Sequence, residues 1–172
     1  MAKSASNRCY ARLRTSKCRP IRLELTDMST VPRHAGGDWT PGDVAAMVAN
    51  PFYAIEIDPK LGDVELTVSD EEWVEANATA IARNPKRWLR MLLRVLQGEE
   101  FPGDTPESAL AALANPAAAI EIHPTLLLPH EAVIDEATWV AANLKTVEEL
   151  GPKPWLYNLL SVLSGHYVAG AD

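Results

Sequence analysis

"NPFYAIEIDP" spans residues 50–59, and "NPAAAIEIHP" spans residues 115–124. How that twice-written phrase is read decides the fold. Over 40–59 against 105–124, eleven of twenty positions are identical: Thr40, Pro41, Ala46, Ala49, Asn50, Pro51, Ala54, Ile55, Glu56, Ile57 and Pro59 each recur. After a length difference of one residue, "EEWVEAN" (71–77) faces "ATWVAAN" (137–143). After one further insertion near Leu150, "PKRWLRMLLRVLQG" (85–98) faces "PKPWLYNLLSVLSG" (152–165). A self-match at a nearly constant offset, with length changes confined to loop positions, predicts a duplicated unit of about 65 residues.

Each copy reads the same way locally. Thr40 and Thr105 precede a proline, which predicts a threonine N-cap with proline at the first helical position. The helix continues through "VAAMVAN" or "ALAALAN", apolar nearly all round and therefore sandwiched between other elements. Asn-Pro ends it, because proline disfavours helical backbone in the residue before it. "YAIEI" and "AAIEI" alternate with period two and predict a short strand. "DPKLGD" then turns back into "VELTV", and "HPTLLLPH" into "EAVI", so a β-hairpin is expected in each copy. A second helix follows, announced by Ser69 with Glu72 as a capping box and by Asp135 in the second copy. Asn84-Pro85 and Gly151-Pro152 break it. The last helix carries Trp88, Leu89, Leu92, Leu93 and Leu96 as one stripe, repeated by Trp155, Leu156, Leu159, Leu160 and Leu163. Gly98 and Gly165 stand where a helix C-terminus wants glycine.

The expected fold is α+β and mostly helical: a tandem duplication of a helix–β-hairpin–helix–helix unit, packed as a pseudo-twofold pair. The expected boundaries are a flexible basic arm over 1–22, a strand and linker over 23–37, repeat unit one over 38–98, a linker over 99–103, and repeat unit two over 104–168. One such unit buries too little of its own surface to be secure alone, and two can close each other's cores.

Composition narrows the function classes. The 172 residues are 47% hydrophobic and 23% charged, as in a globular protein rather than a disordered one. No apolar run reaches the ~18 residues needed to cross a bilayer, and no continuous apolar core of a secretory signal opens the chain. The expectation is a soluble, cytoplasmic protein with no membrane partner. The alanine-rich, arginine-over-lysine vocabulary suggests a bacterial source. Cys9 and Cys18 are the only cysteines, too few for a disulfide framework or a four-ligand zinc site, and no cofactor or metal is expected. The net charge of -7 conceals an asymmetry: 1–22 holds Lys3, Arg8, Arg12, Arg14, Lys17, Arg19 and Arg22 and no acid.

Candidate functional residues fall into three groups. Glu56, Asn77 and Lys86 recur as Glu121, Asn143 and Lys153. Trp73 and Asn77, like Trp139 and Asn143, lie four apart and share a helix face. These shared polar positions are read as structural, with an asparagine tying its helix to a neighbouring backbone. A catalytic reading would make the glutamates general bases, but no nucleophile or activating histidine recurs in both copies. His123 and His130 flank "PTLLLP", and only the second copy has them, against a metal site. Leu126, Leu127 and Leu128 form an apolar loop suited to docking on the other unit or on a partner protein, and Trp73 and Trp139 are further partner candidates. Lys86, Arg87, Arg90 and Arg94 recur at helical spacing as a basic ridge. With Arg8, Arg12, Arg14, Lys17, Arg19 and Arg22 they keep nucleic acid open as a partner.

Three functions are therefore weighed: a non-catalytic interaction or regulatory protein with a protein partner or self-association, a nucleic-acid-associated protein using the arm and the helix over 85–97, and an enzyme of unknown type. The first is favoured.

Overall fold

The computed structural model describes residues 41–165. The expected arm over 1–22 and strand over 23–37 lie outside them, as do Thr40, Cys9 and Cys18. Six α-helices make up the described chain: α1 Pro41–Ala49, α2 Asp70–Arg83, α3 Pro85–Leu96, α4 Pro106–Ala114, α5 Glu136–Leu150 and α6 Pro152–Leu163. Four short 3-10 helices join them, at Pro51–Tyr53, Pro59–Asp63, Pro116–Ala118 and Pro124–Leu127. The order helix, 3-10, 3-10, helix, helix thus occurs twice.

Local chemistry sets the boundaries. Six helices and four 3-10 turns all begin with proline at the first helical position or with an acidic residue there, where the missing or unpaired N–H costs nothing extra. Ser69 caps α2 with a complete capping box: its hydroxyl accepts the Glu72 N–H, while the Glu72 carboxylate accepts the Ser69 N–H. Those hydrogen bonds, the backbone one first, hold the Glu72 carboxyl below the usual carboxylate range. Thr105 caps α4 with a box closed by Ser108, and the Asp135 side chain accepts the Thr138 N–H at the start of α5.

The β-hairpins are a wrong expectation. Among the described residues there is no strand, and the described fold is all-helical rather than α+β. The period-two alternation is real in burial, with Ile55 and Ile57 buried and Glu56 exposed, but no ladder answers it. After Asn50, the Phe52 N–H turns back onto the Asn50 side chain (3.0 Å), and the Ala54 and Ile55 N–H groups donate to the Pro51 carbonyl. A strand needs those N–H groups pointing outward. Asp58 N–H donates instead to the Leu96 carbonyl at the end of α3, and His123 N–H to the Leu163 carbonyl at the end of α6 (2.8 Å each). The expected return strands pair across the halves: Thr67 and Val68 N–H donate to Ala118 O, and Val133 and Ile134 N–H donate to Tyr53 O. Alternation reports only which side chains go inward; a strand also needs a neighbouring backbone, and here the neighbour is a 3-10 turn.

The six helices share one core. α1 packs on α5 and α6 rather than on α2 or α3, and α4 packs on α2 and α3. Each half lends its first helix to the other. The contact of α2 with α6 and that of α3 with α5 complete the seam. One continuous buried cluster results, running from Ala49 and Ile57 through Trp88 and Leu92 to Trp155 and Leu163. The linker after α3 is held by Arg94, whose guanidinium pairs with Glu99 and Glu107 and lies 4.7 Å over the Phe101 ring.

Candidate functional site

Four tryptophans and two asparagines occupy the middle of the molecule, all buried. Asn77 sits on α2, one turn after Trp73, so its side chain can reach back to the Trp73 carbonyl (2.9 Å). The same amide nitrogen donates to the Leu113 carbonyl near the end of α4 (2.9 Å), and the amide oxygen accepts the Trp88 indole N–H (2.8 Å). Trp73 donates its own indole N–H to the Asn115 carbonyl (3.0 Å). The other half repeats every link. Asn143 donates to Trp139 O and to Val48 O (3.0 Å each) and accepts from Trp155 Nε1 (3.0 Å), while Trp139 donates to Asn50 O (3.1 Å).

The physical need is plain. A helix stopped by Asn-Pro leaves its last carbonyls without an intrahelical donor. Those carbonyls are buried at the end of α1 and partly buried at the end of α4, and the amide and indole of the opposite half supply the missing N–H groups. The two halves thus cap each other's first helices. The rings form a chain of edge-on contacts, Trp73–Trp88 at 6.1 Å, Trp88–Trp155 at 6.0 Å and Trp155–Trp139 at 6.4 Å, crossing the seam between α3 and α6.

The remaining recurring residues lie outside. Glu56 and Glu121 are exposed, and the amides of Asn77 and Asn143 are engaged elsewhere, so the structure does not gather them into one site. Lys153 at the start of α6 pairs with Glu75 on α2, across the halves. Of the five residues read as facing a partner, Trp73, Trp139 and Leu126 are buried and Leu127 packs against the core. Leu128 alone is open, 59% exposed.

The two histidines sit apart from one another in role. The His123 ring accepts the Thr125 N–H (3.3 Å) at the start of a 3-10 turn. The His130 ring stacks on Phe52 at 3.6 Å, with Nε2 2.6 Å from the Phe52 carbonyl and Nδ1 3.0 Å from that of Leu128. His130 therefore straps the second half's loop onto the first half's turn. Among the described residues no group of three His, Cys, Asp or Glu side chains is placed to hold a metal.

The basic ridge on α3 is divided. Arg94 is neutralised by Glu99 and Glu107, and its hydrogen bonds hold the Glu99 carboxyl below the usual range. Lys86, Arg87 and Arg90 are exposed and make no ion pair among the described residues. Arg83, at the last position of α2, joins them. It belongs to no motif; the signal for it is the acidic residue, Glu149, at the matching position of the second half. The remaining nucleic-acid candidates, Arg8, Arg12, Arg14, Lys17, Arg19 and Arg22, lie outside the described residues.

Among the described residues no helix is long and apolar enough to cross a membrane. No protein-family model matches the chain, and neither the curated proteins nor the solved structures yield a match.

Proposed function

We propose that this chain is a non-catalytic interaction or regulatory protein of the cytoplasm, made of two copies of one helical unit that have exchanged their first helices. One observation carries the reading: the polar side chains common to both halves, Asn77 with Asn143 and the four indoles, are spent on holding the halves together. What the halves share in their interior serves the fold. Two of the exposed positions that differ lie where a partner would meet them: Arg87 and Arg90 stand against Pro154 and Tyr157.

A nucleic-acid-associated role is the second reading, favoured by the exposed Lys86, Arg87 and Arg90. The two separate experimentally. Tagged full-length chain and a form lacking 1–22 are recovered from nuclease-treated host extract. The interaction reading expects the same protein partner, in stoichiometric amount, with both forms. Recovery of nucleic acid instead, with all binding lost on nuclease treatment or on removal of the arm, would replace it with the second reading.

A further inference from the structure

We infer that the corner where α2 meets α3, built from Arg83, Lys86, Arg87 and Arg90, docks an acidic segment of a partner protein; this rests on the interaction reading above and names the surface that would carry it. All four side chains are exposed, and none makes an ion pair among the described residues.

The two halves provide an internal control for what the fold requires. Lys86 and Lys153 occupy matching positions. Lys153 is neutralised by Glu75, whereas Ala141 stands where Glu75 would be needed to neutralise Lys86. Arg83, Arg87 and Arg90 are matched by Glu149, Pro154 and Tyr157. The second half therefore folds the same corner without those cations. Nor does helix stability call for them: Lys86 and Arg87 lie in the first turn of α3, where the aligned peptide dipoles disfavour positive charge. Two turns further on, Arg94 is already satisfied by its two glutamates. The ridge has a closed end and an open one.

The partner's chemistry follows from what surrounds the corner. The described stretch 41–165 holds 8 Lys and Arg against 19 Asp and Glu, so its formal charge is 8 - 19 = -11. A long polyanion would have to overcome the repulsion of that net negative charge along its whole length. A short run of carboxylates need not. Arginine forks match carboxylates and phosphates alike, so the surrounding negative charge, not the fork, separates the two. The geometry points to an acidic peptide segment rather than a nucleic acid.

The test uses full-length chain and a labelled oligoglutamate peptide, followed by anisotropy at low salt, with single-stranded oligothymidylate as the nucleic-acid arm. The double variant Arg87→Glu/Arg90→Glu should weaken peptide binding by about tenfold or more, while Lys145→Glu on α5 should leave it within about twofold. Equal loss in both variants, or no binding of the peptide by the unmodified chain, overturns the docking site. So does oligothymidylate binding that exceeds peptide binding and drops with the double variant. The charge-reversed chain is then returned to the extract experiment. If the peptide result fails but the protein partner is still recovered, the surface is wrong and the interaction reading stands. If no protein partner is recovered with the unmodified chain, the interaction reading itself fails.

Discussion

Asn77 and Asn143 are buried and each makes three hydrogen bonds, two donated and one accepted; all are buried but the Asn77 bond to the Leu113 carbonyl, which is partly so. Truncation would leave a buried indole N–H and a helix-end carbonyl without partners. Asn143→Ala should therefore cost about 2–4 kcal/mol, from the ~1–3 kcal/mol penalty of each orphaned buried group. Asn77→Ala should cost about the same, because the links are the same. Urea denaturation followed by helical circular dichroism measures both; a loss below about 1 kcal/mol in either would mean that water or a shifted side chain replaces the amide. The amide positions were legible from sequence, since a repeated asparagine inside an apolar helix stripe must find polar partners. The identity of those partners was not, because Val48 and Leu113 carbonyls lie in the opposite half.

Where α3 ends, a single glycine serves two purposes. Gly98 has φ 76°, which side-chain-bearing residues rarely adopt, and a Cβ there would fall 1.9 Å from Asp58 Oδ2. Gly103, in the linker, has φ 79° but open space around its Cα. The pair separates backbone strain from collision. Gly103→Ala should cost about 1 kcal/mol, the backbone cost of a left-handed residue, and Gly98→Ala measurably more because the turn at Asp58 must also move. Equal costs in thermal melts would show that Asp58 yields freely. Helix placement was readable from this kind of punctuation: prolines, caps and C-terminal glycines mark where helices start and stop. The hairpins failed at the same scale. "YAIEI" has the strand's alternation, yet its first N–H groups are claimed by the Pro51 carbonyl, a competition that periodicity does not register.

For the molecule as a whole, the exchange of α1 and α4 leaves neither half with a core of its own. Unfolding should then be a single event. Tryptophan fluorescence and far-ultraviolet circular dichroism should trace one coincident transition in urea. Trp88→Ala, which removes a ring between Trp73 and Trp155, should shift that transition by about 3–5 kcal/mol without splitting it. Two separable transitions would mean that the halves are independent bodies. The surface follows a different logic at this scale: divergent positions, such as Arg83 against Glu149, set the charge of each corner.

Sequence by itself determined where the helices begin and end, the inward stripe of the last helix in each half, and that one pattern is written twice; it did not place Trp73, Trp139 and Leu126 inside. Those properties are local, carried by proline geometry, capping side chains and the spacing of apolar residues. Tertiary structure alone decided that each half's first helix would pack on the other half, that the extended segments would pair with turns rather than with each other, and that Lys153 would be neutralised while Lys86 would not. The reason is that a buried carbonyl or an exposed charge is indifferent to which part of the chain answers it; only the packed arrangement brings a particular amide, indole or carboxylate within reach.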